Sequence, residues 1–342
     1  MLRLACLIFL VIGLRFSAQT DLYRQLDSIL TSPNNNPFSG VVFIAADKKP
    51  QYMKVMGFSD LDHRNPLQLN DKFVIGSISK QITAVLVLQL YEQGKLKLND
   101  PISKYLKSVP NTWDTVTIDQ LLSHTHGIIG LDKPLVFKPG SRFMYSQHGY
   151  QLLAMITEKI TGLTFAEQSR LLFKKCGMKN TCHPSFLKPG ELVTCFTRSA
   201  NGSYTVEAKS LEGFPAAGGF VSTAGDLFIW NQCLYGGKLI SNPVLKLMLS
   251  PKKNAVRDHP IFGNTLYGYG ITVNNEGTDQ FGQTGFADGF ACMDFYFPSR
   301  KRSVIVLQNT VYDPSDMKKT FYYHKQIVAR VKKAVIKSQG KK

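Results

Sequence analysis

The chain is short of acid. Against 41 lysines and arginines stand 24 aspartates and glutamates in 342 residues, a formal charge of +17. It also lacks the pattern that turns such charge toward nucleic acid. No stripe interleaves basic with aromatic side chains to stack bases, and the lysines are scattered except near the C-terminus. Nucleic acid is therefore not an expected partner. No paired-cysteine or cysteine–histidine spacing resembles a zinc site, so no metal is expected. Neither an internal repeat nor a low-complexity linker breaks the chain. Beyond the first residues, no apolar run is long enough to suggest a membrane span.

What is present begins with a leader. Arg3 precedes an apolar run over residues 4–14, and the small residues Ser17 and Ala18 follow. This reads as a secretory signal peptide over residues 1–19, and predicts an exported protein, periplasmic or secreted after cleavage. Cys6 falls too early for a lipoprotein cleavage site. An exported chain with this charge suits an anionic cell-wall polymer or a lipid surface, weighed against a solvated basic face with no partner. Five cysteines follow the leader: Cys176, Cys182, Cys195, Cys233 and Cys292. The odd number leaves at least one unpaired within the chain. Cys233 and Cys292 read as buried small hydrophobes, and the other three allow one disulfide.

Strand-like runs sit at both ends of the chain and helical patterns in the middle. Residues 40–45 and 51–57 read as two strands joined by the charged turn from Asp47 to Pro50. Residues 268–273, 290–297 and 303–308 read as three more. Helices are predicted after Ser77, over residues 117–123, 149–160 and 224–234, and from about 317 to 336. The pattern predicts an α+β fold, a mainly antiparallel sheet built from both chain ends and covered by helices, with an inserted all-helical region. Residues 20–342 then form one catalytic domain: an α/β region of about 20–95 plus 218–342, and a helical region of about 96–217. The basic end, residues 325–342, reads as an amphipathic helix packed on the sheet, in preference to a membrane-surface helix.

The chemistry is read from three segments. In Ser77-Ile78-Ser79-Lys80 the serine opens a long apolar helix, where backbone N–H groups lack intrahelical partners. Lys80, three residues on, shares its face, and a desolvated lysine can accept a hydroxyl proton. The same four-residue spacing recurs at Ser185, Ser250, Ser315 and Ser338, none of which opens such a helix. The second segment ends in Tyr145-Ser146-Gln147, after the turn Pro139-Gly140. A tyrosine beside a lysine can take phenolate character and shuttle protons. The third is Gln283-Thr284-Gly285-Phe286, small residues that let a substrate backbone approach a strand edge. His124 and His126 form a His-X-His pair with no third metal ligand by spacing.

Together, in this order, the three segments resemble the serine β-lactamase and penicillin-binding protein superfamily, in its class C-like branch. Leu121-Leu122-Ser123-His124-Thr125-His126-Gly127 and residues 218–223 also resemble recurrent segments of that branch. The resemblance implies a β-lactamase/DD-peptidase-like fold and an acyl-enzyme hydrolase of small amides or esters, akin to D-Ala-D-Ala carboxypeptidases and esterases. Its alternatives are a class C-type β-lactamase and a catalytically impaired cell-wall-binding relative. It makes Ser77 the nucleophile, Lys80 the proton acceptor and Tyr145 the partner base. Gln147, Gln283, Thr284, Gly285 and Phe286 would line the substrate site, with the N–H groups of Ser77 and Phe286 as the oxyanion hole. No cofactor is implied, and the partner is a small-molecule or peptide substrate. Two positions depart from the pattern: Gln147 stands for asparagine, and Gln283 for lysine or histidine. The second predicts a carboxylate pocket without its cation, favouring neutral esters over anionic β-lactams.

Overall fold

The structure is a computed structural model that describes residues 20–60, 65–199, 201–207 and 214–339. The expected leader and residues 340–342 lie outside them. A first helix, α1, spans residues 20–31. Strands β1 (Gly40–Ala46) and β2 (Lys49–Met56) follow, joined at Asp47 and Lys48. Both turn residues take positive φ, 51° and 65°, which matches the twist of a tight hairpin. A short β3 (Phe73–Val74) leads through a 3₁₀ turn, Gly76–Ile78, into α2 (Ser79–Glu92).

The inserted stretch carries α3 (Ile118–Leu122), α4 (Gln147–Thr161) and α5 (Phe165–Cys176). It is not wholly helical: β4 (Phe196–Arg198) and β5 (Tyr204–Val206) lie within it. A one-turn π-type bulge, Pro215–Gly219, and β6 (Val221–Ser222) return the chain to the sheet region. Next come α6 (Ala224–Tyr235), α7 (Asn242–Leu249), β7 (Val256–His259), β8 (Gly263–Tyr267) and β9 (Thr272–Asn274). The chain continues with β10 (Gln280–Ala287), β11 (Phe290–Phe297), β12 (Arg302–Gln308) and β13 (Thr310–Tyr312). It closes with α8 (Met317–Thr320) and α9 (Tyr322–Gln339).

The main sheet has the order β2-β1-β12-β11-β10-β9-β8-β7, so strands from both chain ends meet where β1 pairs β12. Every pair in it is antiparallel. Its central strands are buried on both faces. Val41, Phe43, Ile305 and Leu307 join the core with α2 and α6, while Val42, Ile44, Val304 and Val306 join a second core with α1 and α9. The C-terminal helix packs on the sheet through Ile327, Val328, Val331 and Val335. Helix α2 runs through the first core and is buried from Ser79 to Leu88, which explains a sequence apolar on nearly every side.

Two strand expectations need correction. Residues 268–273 do not form one strand: the chain turns at Gly270 (φ +70°), and only β9 is extended. A Cβ at Gly270 would lie 2.5 Å from the Lys80 carbonyl oxygen, so the turn is set by close packing on α2. The β7–β8 hairpin was not anticipated at all. Val256-Arg257-Asp258-His259 is mostly polar and shows no apolar alternation, as an edge strand permits. The five cysteines are thiols, with Cys195 donating to the Asp288 carbonyl oxygen at 3.4 Å.

Candidate active site

Ser77 lies in the 3₁₀ turn that opens α2. Gly76 takes φ +54°, and a Cβ there would come within 2.4 Å of the Phe286 nitrogen. A Cβ on Gly285 would meet the Ile75 carbonyl oxygen at 1.9 Å. Turn and strand therefore touch backbone to backbone, and the Phe286 N–H is held beside Ser77. Strand β9 pairs with β10 through Gln280, Phe281 and Gly282, so its ladder ends just before Gln283. The stretch from Gln283 to Ala287 can then receive an extended substrate along that edge.

Lys80 is fully buried and its ammonium meets three acceptors: Gln147 Oε1 at 2.6 Å, the Ala217 carbonyl oxygen at 2.7 Å and Ser77 Oγ at 3.2 Å. The first two are carbonyl oxygens, which can only accept. They hold two of the three nitrogen valences whatever the charge state. The third faces the Ser77 hydroxyl, as an N–H in the ammonium or as a lone pair in the amine. Burial pulls the Lys80 pKa below its usual value, against an opposing pull from Tyr145, and Arg257 adds to the depression. The bulge Pro215–Gly219 aims the Ala217 oxygen at Lys80, while Ala216 beside it accepts from Thr83 on the same helix at 2.6 Å.

Tyr145 lies just before α4, its hydroxyl buried without a hydrogen bond of ordinary geometry. Two cations sit near its ring: Lys80 Nζ at 4.6 Å from the centroid and Arg257 Cζ at 4.7 Å. Burial alone would raise the phenol pKa. Lys80 and Arg257, helped by Ser77, outweigh it, and the net displacement is downward. Lys80 and Tyr145 thus form a coupled pair in which one proton can move.

His124 supports that tyrosine. It takes φ +58°, accepts the Ser146 N–H on Nδ1 at 3.4 Å, and its ring lies 4.4 Å from Tyr145 and 5.1 Å from Tyr267. Burial, then Lys80, push its pKa well below the usual histidine value, so it stays neutral. His126 spends Nδ1 on the Ile128 N–H at 2.9 Å, and burial takes its pKa to about 3. Among the described residues no group of three His, Cys, Asp or Glu could hold a metal ion.

Gln283 is fully buried, and the expectation of a pocket without a cation is overturned. Arg257, on β7, donates from Nη1 to Gln283 Oε1 at 2.6 Å. The same oxygen accepts from Thr272 Oγ1 at 3.2 Å, while Gln283 Nε2 donates to the Tyr267 hydroxyl at 3.0 Å. Thr284 contacts a second β7 residue, His259, whose Nε2 lies 3.3 Å from Thr284 Oγ1. His259 Nδ1 accepts the Ile261 N–H at 3.2 Å, which leaves Nε2 protonated. Thr284 then accepts from His259, and its own hydroxyl proton is left to donate elsewhere.

Ser77, Lys80, Tyr145 and Gln147 are thus brought together around one ammonium, and Gly285 and Phe286 against the Ser77 turn. Gln147 is half-buried, and its Oε1 accepts from Lys80. Arg257, His259, the orienting His124 and the Ala217 carbonyl were missed from sequence. The available signal for the β7 pair was a strand-length run, Val256 to His259, ahead of the turn Pro260-Ile261-Phe262-Gly263.

The family model described as "Beta-lactamase" matches residues 35–329. The chain belongs to this family and is a serine hydrolase of it. It is 27% identical over 296 residues to "Putative penicillin-binding protein PbpX" of Bacillus subtilis (strain 168), covering 80% of this chain and 71% of that one. It is 26% identical over 259 residues to "Teichoic acid D-alanine hydrolase" of Staphylococcus aureus (strain MRSA252), covering 69% of this chain and 61% of the relative. Among solved structures, the D-amino acid amidase of Ochrobactrum anthropi SV3 superposes with a TM-score of 0.79 at 20% identity. That match covers 92% of this chain and 99% of the other, and it carries the fold alone.

Proposed function

We propose that this protein is an exported hydrolase that forms an acyl-enzyme at Ser77 on a small amide or ester of the D-alanyl type. The observation that supports it best is the hydrogen-bond arrangement of Lys80. Two carbonyl oxygens hold two of its valences and direct the third at Ser77 Oγ. The amine form takes the Ser77 proton as Oγ attacks the substrate carbonyl carbon. The N–H groups of Ser77 and Phe286 receive the oxyanion. As the bond to the leaving group breaks, Tyr145 returns the proton to that group. Water then repeats the sequence on the ester and releases the acid.

One relative favours the substrate class, a protein named teichoic acid D-alanine hydrolase. The charge of +17 suits an anionic polymer. Export rests on the apolar leader. A second reading, turnover of β-lactams, is favoured by the Arg257 guanidinium beside Gln283. Intact-mass measurement after incubation with one β-lactam and one activated D-alanyl ester tests the proposal. A covalent adduct mapping to Ser77 is expected. Adducts on another serine, or none with either reagent under turnover, would refute it.

A further inference from the structure

We infer that the loop of residues 128–138 is a membrane-contact element: its apolar tip enters an anionic lipid surface, and the cations around it meet the headgroups. The contact goes beyond the acyl-enzyme reading and does not depend on it.

Of the large apolar side chains exposed among the described residues, three fall within eight positions of this loop. Ile129 is 46% exposed, Leu131 50% and Val136 39%. Such side chains scattered singly mean little, but a cluster of them marks a contact surface. The loop is fastened at both ends. The Val136 N–H donates to the Gly127 carbonyl oxygen at 3.0 Å, and the Ile128 N–H to His126 Nδ1 at 2.9 Å. Ser146 Oγ donates to the Ile128 carbonyl oxygen at 2.9 Å, one residue on from Tyr145. At Gly127 (φ +80°) a Cβ would lie 2.8 Å from the Phe137 carbonyl oxygen, so the two arms close against each other. Ile128 at the base is fully buried, whereas residues 131–134 are all exposed. The apolar tip therefore stands on a fixed base beside the site.

The charge around the tip selects the partner. Lys133, Lys138 and Arg142 are exposed. Against them stands one exposed carboxylate of the loop, Asp132, 3.7 Å from Lys133. Lys138 and Arg142 join no ion pair among the described residues, and the Arg142 guanidinium lies 4.8 Å from the Phe137 ring. Apolar side chains flanked by unpaired cations match a bilayer interface, where acyl chains take the first and anionic headgroups the second. A soluble anionic polymer would meet the cations and leave the apolar tip in water. Lipid contact here holds the Ser77 cleft near the lipid–water boundary.

The test uses Leu131→Trp as a local reporter, with Ile129→Trp as a second, because the native Trp113 and Trp230 are both buried. Vesicles of phosphatidylglycerol and phosphatidylcholine should shift the new indole's emission to the blue, and bromine-labelled acyl chains should quench it. In the Leu131→Trp background, Ile129→Asn/Val136→Asn should raise the lipid concentration for half the shift by about 10- to 100-fold, since two apolar side chains leave the lipid. Lys138→Gln/Arg142→Gln should raise it by about 10- to 30-fold. Each variant should cleave a soluble activated ester at the parental rate. An indole unchanged on vesicles that sediment with the protein would show that another face binds lipid, and would overturn the inference, as would no binding at all. A blue shift on acylation without lipid would make the tip a lid over the cleft. Loss of soluble-ester activity would make it part of the cleft, and either result also overturns the inference.

Discussion

Lys80 donates to Gln147 Oε1 over 2.6 Å, a shorter contact than its 3.2 Å approach to Ser77 Oγ. The first residue of α4 therefore holds the ammonium in place from outside its own helix. Gln147→Leu should keep the apolar packing but free one valence of Lys80. Losing a hydrogen bond to a charged group costs about 1.5–3 kcal/mol, so kcat/KM should fall by roughly 10- to 100-fold. Gln147→Asn is a methylene shorter and should fall between parent and Gln147→Leu. Steady-state kinetics on one activated ester checks this, and parental rates in Gln147→Leu would remove Gln147 from the site.

Ser77 makes no capping hydrogen bond at the start of its helix, where the N-cap position is Ile75. Ser77→Ala should therefore lose fluorophosphonate labelling completely while the fold persists, with a stability loss no larger than that of one hydrogen bond from Lys80, about 1.5–3 kcal/mol. Caps of this kind are worth about 1 kcal/mol, and none is lost here. Stoichiometric labelling that persisted in the variant would place the nucleophile elsewhere.

The pH dependence of kcat/KM should follow the Lys80–Tyr145 pair. With both protonated the pair cannot accept the serine proton, so activity rises with pH as the first proton leaves. Both groups are displaced downward from 10.5 and 10.0, so this limb lies below the range of free lysine and tyrosine. Arg257 contributes to both displacements, and Arg257→Gln should move the limb to higher pH. Lys80→Arg should be inactive, since guanidinium keeps its proton. Tyr145→Phe should slow acylation by about 10²- to 10⁴-fold. A limb unmoved by Arg257→Gln would show that its charge does not reach the pair.

His259 Nε2 lies 3.3 Å from Thr284 Oγ1. His259→Phe removes that donor and frees the Thr284 hydroxyl to rotate. The variant should raise KM for an activated ester by several-fold with a smaller change in kcat, and Thr284→Val should mask that effect. Additive losses in the double variant would separate the two residues.

Asp294, opposite Gln283 in the sheet, supplies a stability prediction. Burial raises its pKa to about 7, against a pull from Asn231, which donates to Oδ1 at 2.6 Å. In the unfolded chain it ionises near 3.8, so from about pH 4 to 7 the unfolded state holds fewer protons than the folded one. Stability should fall with rising pH across that window, then level off. Asp294→Asn should flatten the decline in urea titrations at pH 4.5 and 7.5. An equal slope in parent and variant would assign the loss to other groups.

The sequence by itself determined the local part of the site. A serine at the head of an apolar helix and a lysine three residues later share a face whatever the rest of the chain does, because the helix period decides it. The same holds for the sheet built from both ends, whose central strands are apolar enough to be recognised without partners. Only the tertiary structure decided that a guanidinium stands beside Gln283. Arg257 and Gln283 are far apart in the chain, and their contact depends on how the β7–β8 hairpin lies beside the open stretch of β10. A polar edge strand carries no periodic signal of that kind. The role of Gln147 was hidden for the same reason: its amide meets Lys80 only because α4 packs against α2, and packing between distant elements is not written in the spacing of either one.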